Sequence, residues 1–360
     1  MDFVVTNLEL KLGRRRVLQN INLQIPSGDI HVLLGAAGSG KTILVECLAG
    51  MRRIQAGAVF VHGESLSKRS VRAKMGVVFA NPNFFSHLSM QRNLELNLAP
   101  AQKRIRGEEA IHSLCERLRI SHLLAALPDD LSAWHKLQMQ LARALLNDPA
   151  VLVLDAPFEQ IPVGYHNALR VLLAEEAERG AALLLATSLP RQAQLVADKI
   201  ALLEQGAIVQ SNSPQAFYTR PNNIFVANVF YDQGLGIIPG VFTKRMKTMF
   251  DCVLLGEFDV RIPCRFDKLL DYDNEEFCLG VQASQVSLRQ PKEPAIRIKG
   301  SLITNKRLGN SHVSLWRLSG GSLLETRTQE EPGGSKYADL WIRVNGTLLF
   351  DEHGETLAVL

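Results

Sequence analysis

"IHVLLGAAGSGKTILVECLAG", residues 30–50, is the stretch from which the rest of the chain can be read. An apolar run with strand character meets a loop carrying Gly35, Gly38 and Gly40, and the chain leaves that loop through Lys41 and Thr42 into helix-forming residues. The eight residues 35–42 satisfy G-x-x-x-x-G-K-[ST]. Glycines let consecutive backbone N–H groups, including that of Ser39, wrap an anion at a helix N-terminus. The spacing therefore predicts that Lys41 reaches the outer phosphates of a nucleoside triphosphate such as ATP and that Thr42 ligates Mg²⁺.

A phosphate loop of this kind sits at the C-terminal edge of a parallel sheet, and a second stretch supplies the other half of the site. "VLVLDAP" (151–157) is a buried-strand pattern that ends in one carboxylate, Asp155. Pro157 and Pro162 do not open a helix that Asp155 could cap. Asp155 is thus expected beside Thr42, holding the hydrated Mg²⁺.

Outward from these two strands, residues 1–228 alternate strand-like and helix-like segments, the signature of a parallel sheet covered by helices. A helix-rich insert occupies about 89–146. From about 236 the texture changes to short alternating segments separated by Gly, Pro and Asn, among them "FDVRIPCRF" (258–266), "HVSLWRL" (312–318) and "ADLWIRVNGTLLF" (338–350). The expected architecture is an α/β P-loop nucleotide-binding domain over 1–235 with a helical subdomain, followed by an all-β, OB-like regulatory domain over 236–360.

Composition narrows the function classes. Of the residues, 46% are hydrophobic and 21% charged, which is ordinary for a globular chain. Net charge is +5 over 1–228 and −1 over the remainder, too weak a bias to predict nucleic-acid binding. The longest apolar runs, such as "AALLLAT" (181–187), fall well short of the roughly 18 residues of a membrane span. No signal-peptide layout opens the chain, and a cytosolic protein is expected. Cys47, Cys115, Cys252, Cys264 and Cys278 form no C-x-x-C pair and are expected as reduced thiols, and the nine histidines lack metal-ligand spacing.

The order of the P-loop, "MGVVFANPNFFSHLSMQRNL" (75–94), "LSAWHKLQMQLARALLNDPAVLVLDAP" (131–157) and "ADKIALLEQGAIVQSNSPQAFYTRPNNIFVANV" (197–229) resembles the ATP-binding subunits of ABC transporters. Within them it is most similar to importer subunits for sugars, polyols and glycerophosphates, the maltose-importer type with a C-terminal regulatory β-domain. The resemblance is dense over the first 229 residues. Beyond them it rests on "CLGVQASQV" (278–286) and "LLFDEHGETLA" (348–358).

The departures from the family pattern fall on the catalytic positions. The resemblance implies a general-base Glu where Ala156 stands, a switch His where Ser188 stands and a Gln where Ala80 stands. The signature reads Leu131-Ser132-Ala133-Trp134-His135, the following loop reads Glu159-Gln160-Ile161-Pro162, and Leu12 takes the place of the adenine-stacking aromatic. A positioned base contributes roughly 10²–10⁴-fold and an oxyanion donor about 10²–10³-fold. Little or no intrinsic hydrolysis is therefore expected, while binding through Gly35–Thr42 and Asp155 survives. Glu159 lies three residues beyond Ala156 and is expected too far along the loop to substitute.

The same resemblance implies the partners. Ser132, Ala133, Trp134 and His135 would face a second ATPase subunit's nucleotide. Phe84, Phe85, His87 and Leu88 would form the groove that docks a permease, although a bare aromatic pair of this kind is more often core. The favoured reading is a catalytically degenerate subunit of a small-carbohydrate or polyol importer, glycerol-type at best guess. It would pair with a competent second ATPase subunit on two transmembrane permeases, held at the cytoplasmic face of the inner membrane only through them. An active homodimeric importer ATPase and an ATP-sensing regulatory protein that never joins a transporter are the alternatives.

Overall fold

The computed structural model describes residues 3–81, 83–98, 107–231, 234–246, 249–254, 260–261, 276–333 and 335–360. The chain divides into two units, Met1–Pro214 and Gln215–Leu360.

In the first unit, β1 (Phe3–Leu12) and β2 (Arg15–Ile25) form an antiparallel pair that β4 (Ala56–Val61) and β5 (Glu64–Ser65) extend in the order β2-β1-β4-β5. The second sheet holds β3 (Ile30–Leu34), β6 (Met75–Val78), β7 (Val151–Asp155), β8 (Ala182–Thr187), β9 (Lys199–Glu204) and β10 (Ala207–Asn212), ordered β10-β9-β3-β8-β7-β6. All its neighbours run parallel except the β9–β10 hairpin. Every residue of β3, β7 and β8 is buried, as continuous apolar strands covered on both faces should be.

Among the described residues this unit also holds helices α1 (Lys41–Leu48), α2 (Arg69–Arg72), α3 (Met90–Glu95), α4 (Gly107–Arg117), α5 (Ala133–Leu145), α6 (His166–Glu178) and α7 (Pro190–Val196). The predicted insert is realised as α3, α4 and α5. Ser132 caps α5 by accepting from the His135 N–H at 3.2 Å, which satisfies one of the orphan donors of its first turn. Leu8, Ile21, Leu44, Val45, Val153 and Leu184 belong to one buried cluster, which joins the antiparallel sheet to α1 and the central strands.

The second unit opens with α8 (Pro214–Thr219, entering from the last residue of the first) and α9 (Ile224–Phe230). The division at 214/215 precedes the 235/236 boundary read from the change of period. The reason is packing: Ala227 on α9 and Tyr231 share a buried cluster with Leu348 and Phe350 of the β-strands. Among the described residues the rest of the unit is built of β-strands with one 3-10 turn at Ala283–Gln285, as expected. One sheet runs β13-β12-β11-β14-β20-β21, with β11 (Leu235–Met246), β12 (Met249–Leu254), β13 (Val260–Arg261), β14 (Glu276–Gln282), β20 (Leu348–Asp351) and β21 (Thr356–Val359). The other runs β15-β19-β16-β17-β18, with β15 (Val286–Ser287), β16 (Ala295–Leu308), β17 (Ser311–Leu318), β18 (Leu323–Thr328) and β19 (Tyr337–Arg343).

"ADLWIRVNGTLLF", read as one segment, is two strands, because Gly346 turns the chain at φ 83° between β19 and β20. Of "FDVRIPCRF" only 260–261 fall within the described residues. Cys47, Cys115 and Cys278 are free thiols, whereas Cys252 and Cys264 lie outside the described side chains. No described helix is long and apolar enough to cross a membrane.

Candidate nucleotide site

The loop between β3 and α1 is built by close approach. A Cβ on Gly35 would stand 2.5 Å from the Leu203 carbonyl oxygen, so only glycine fits there. Gly40, the N-cap of α1, has φ 113°, a region that L side chains rarely adopt. Lys41 folds back over the loop, its Nζ donating to the carbonyls of Gly35 at 2.7 Å and Ala36 at 2.9 Å. Two of its three protons are thereby spent on holding the ammonium in place, and one remains for an incoming anion. Ser39 Oγ is buried without a partner, an orphaned polar group in the wall of the cradle.

Asp155, 2% exposed, ends β7 beside this loop and accepts a hydrogen bond from Thr42. Burial pushes the Asp155 carboxyl above its usual range, while the Thr42 bond and Lys41 pull it back. Lys41 is pulled below the ordinary lysine value by burial, with Glu159 and then Asp155 acting against that shift. A divalent cation at this point would relieve the buried carboxylate. The Thr42 hydroxyl and Asp155 are the hard oxygen donors that Mg²⁺ takes. The pair anticipated from sequence is therefore brought together, and its chemistry fits the metal.

Ala156, with φ 49°, donates its N–H to the Ala186 carbonyl at 2.9 Å and carries the β7–β8 pairing one residue further. Ser188 directly follows β8, and Ala80 lies two residues beyond β6, half-buried.

Glu159 folds back onto the end of β8. Its Oε1 accepts hydrogen bonds from Thr187 Oγ1 at 2.8 Å, the Ser188 N–H at 2.6 Å and Ser188 Oγ at 3.0 Å. Its charge acts on both Lys41 and Asp155. Distance along the chain misleads here because residues 156–160 fold back as a tight turn. Phe158, 1% exposed, anchors that turn in the interior, where His166 Nε2 lies 3.0 Å from its carbonyl oxygen. Gln160 Nε2 clamps the turn from the other side, donating to the carbonyls of Asp155 at 2.9 Å and Ala156 at 3.3 Å. With Phe158 inward and Gln160 engaged, the Glu159 side chain is aimed back at the end of β8.

The signature positions are only partly presented outward. Ser132 caps α5, and His135 lies edge-on to His122 at 6.1 Å. Trp134 is 8% exposed and stacks on Tyr165 of its own chain. Ala133 is the first residue of α5, exposed. Leu12 ends β1 at 42% exposure, an aliphatic surface in place of a stacking ring.

The loop before α3 departs from the core reading of its aromatic pair. Phe85 is 54% exposed, with His87 edge-on to it at 6.1 Å. Phe84 lies under the Arg143 guanidinium at 4.8 Å, and Leu88 is half-buried. The residue that shapes this loop is Asn93, which sequence reasoning missed. It is 3% exposed, accepts from the Phe85 N–H at 2.8 Å and donates to the carbonyls of Phe85, Leu88 and Ser89. A lone amide beside an apolar helix start is the only trace of that role in the sequence.

Comparison with known proteins places these features. Residues 18–159 match the family model described as ABC transporter. The sulfate/thiosulfate import ATP-binding protein CysA of Neisseria meningitidis serogroup A is 32% identical over 235 residues, covering 63% of this chain and 65% of that protein. The protein of the same name from Pectobacterium atrosepticum is 31% identical over 239 residues, 64% of this chain and 72% of its own length. The chain thus spans just under two thirds of the Neisseria relative. Among solved structures, a nucleotide-free ATP-binding cassette from an ABC transporter aligns with TM-score 0.56 at 18% identity, over 64% of this chain and 99% of its own. An ATP-binding subunit of an ABC transporter aligns at 0.54 and 20% identity over 60% and 92%. At those identities the structures speak to the fold alone. The relatives are named for sulfate and thiosulfate, where the sequence resemblance pointed to sugars and polyols.

Proposed function

We propose a function from one premise: the chain belongs to the ABC transporter family of ATP-binding subunits. It is the nucleotide-binding subunit of an ABC importer, taking Mg-ATP between the 35–42 loop and Asp155. The observation that carries this reading is the prepositioned Lys41 ammonium, fastened to Gly35 and Ala36, together with the buried Asp155 and the exposed Thr42 that donates to it. Bound Mg²⁺ would neutralise phosphate charge, and Thr42 and Asp155 are the residues that would hold it.

With Ala156, Ser188 and Ala80 in the places of Glu, His and Gln, turnover at this chain's own site is slow. A second ATPase subunit with the intact set would carry most of the hydrolysis, using this chain's Ser132-capped helix against its own nucleotide. One of the two permeases docks on the Phe85 loop and holds the subunit at the cytoplasmic face of the membrane. The cargo is a small solute. The polyol or glycerol class follows the sequence resemblance, whereas the relatives' names offer sulfate, and uptake of labelled glycerol against labelled sulfate by cells expressing the complete transporter separates the two.

Calorimetry of the purified chain with ATP in the presence and absence of Mg²⁺ tests the core of the reading. Saturable, Mg²⁺-dependent binding that Lys41→Ala weakens is expected. No heat of binding for either nucleotide form would reject it.

A further inference from the structure

The carboxylate of Glu159 stands where the first unit otherwise lacks one. Ala156, directly after Asp155, offers a methyl group, and Ser188 offers a short hydroxyl. Into the space between the ends of β7 and β8 comes a side chain three residues further on, its Oε1 fixed by Thr187 Oγ1, Ser188 N and Ser188 Oγ. Three donors on one oxygen orient the group, since the other oxygen can then swing only about a pinned one. The donors come from the β8 terminus, the segment whose Thr187 carbonyl also receives the Gly35 N–H of the phosphate loop at 3.3 Å. The carboxylate and the loop are thereby tied to the same strand end. Glu159 is an exposed residue, reachable by water, yet its charge is felt at Lys41 and at Asp155, the two groups that bracket the outer phosphates.

We propose that Glu159 is the proton acceptor for ATP hydrolysis at this chain's own nucleotide site, replacing the carboxylate that Ala156 does not supply. The assignment rests on the nucleotide-binding reading above and accounts for the residual turnover it leaves. The step balances with no further reactant. The water oxygen forms a bond to the γ-phosphorus as one water proton passes to a Glu159 carboxylate oxygen. The bond from that phosphorus to the bridging oxygen breaks with its electron pair remaining on ADP. Glu159 then gives its proton to solvent, and ADP and inorganic phosphate leave. The lost glutamate is thus relocated by one turn of chain, with Phe158 and Gln160 as the positioning residues that fold the turn back.

Glu159→Gln separates this role from a structural one, because the amide oxygen still accepts from Thr187 and Ser188 while charge and basicity are gone. Steady-state phosphate release and calorimetric affinities for Mg-ATP and Mg-ADP are measured for the wild type, Glu159→Gln and Lys41→Ala. The expected result is wild-type turnover above the Lys41→Ala background, and a loss of about 10²-fold or more in Glu159→Gln. ATP affinity should rise severalfold in Glu159→Gln while ADP affinity holds, since only the γ-phosphate faces the removed charge. Turnover in Glu159→Gln within a few-fold of wild type overturns the proposal. So does an unchanged ATP-to-ADP affinity ratio, or a wild type that binds ATP without turnover. A wild type that binds neither nucleotide overturns instead the nucleotide reading on which the proposal stands.

Discussion

The indole of Trp134 lies flat on the ring of Tyr165, centroids 5.3 Å apart and planes 11° from parallel. The pair joins the start of α5 to the loop that follows β7, so a residue at a signature position is turned inward to stabilise its own chain. Trp134→Ala should cost about 3–5 kcal/mol, as for a buried large aromatic. Tyr165 is 43% exposed, and its truncation should cost less. A double-mutant cycle in urea should return about 0.5–1.5 kcal/mol of coupling. Coupling near zero would show that the stack contributes only area.

Lys41 should be needed for nucleotide and not for folding. Its two carbonyl bonds hold an ammonium that burial already disfavours as a cation. Removing it deletes a charge-assisted contact worth about 1.5–3 kcal/mol, and Lys41→Ala should weaken Mg-ATP binding by roughly 10–100-fold with an unchanged circular dichroism spectrum. Equal affinity in the two proteins would place the phosphates elsewhere.

His31 gives the first unit an acid-sensitive strand. It lies in β3, 6% exposed, and burial lowers its pKa below the ordinary 6.5, against the pull of Asp29 at 3.6 Å. Between that value and the lower folded one, the unfolded chain binds a proton that the folded chain refuses. Stability is therefore full above about 6.5 and falls as pH drops through the window. Urea midpoints should decline from pH 7 toward pH 5, and His31→Gln should flatten the part of the slope that His31 carries. A slope identical in the two proteins would assign the effect to other groups.

Phe85 projects from a loop that Asn93 holds rigid without its help. Because the ring is more than half exposed, Phe85→Asp should change stability by no more than about 0.5 kcal/mol. Co-purification with the permeases should nevertheless be lost, since an aromatic anchor would be replaced by a charge at the centre of the proposed docking surface. Normal assembly of the variant would reject this groove. Asn93→Ala should act on both stability and assembly, by releasing the loop.

Much of this protein was legible before any coordinates. "GAAGSGKT" after an apolar strand and "VLVLD" with its terminal carboxylate are local patterns in which residue type and spacing dictate the backbone. The phosphate loop, the parallel sheet and the Thr42–Asp155 pair all followed from them. The alternation of periods likewise separated the α/β part from the β-rich part, because periods of 3.6 and 2 are written residue by residue. What only the tertiary structure decided are contacts between segments far apart in sequence. Glu159 meets Ser188, 29 positions on, because the burial of Phe158 and the Gln160 clamp fold its turn back. The stacking of Trp134 on Tyr165, the exposure of Phe85 on the loop that Asn93 binds, and the packing of α9 beside Phe350 are likewise contacts of this kind. In each case the direction of a side chain was set by a partner many positions away, and no periodicity in the sequence encodes such a partner.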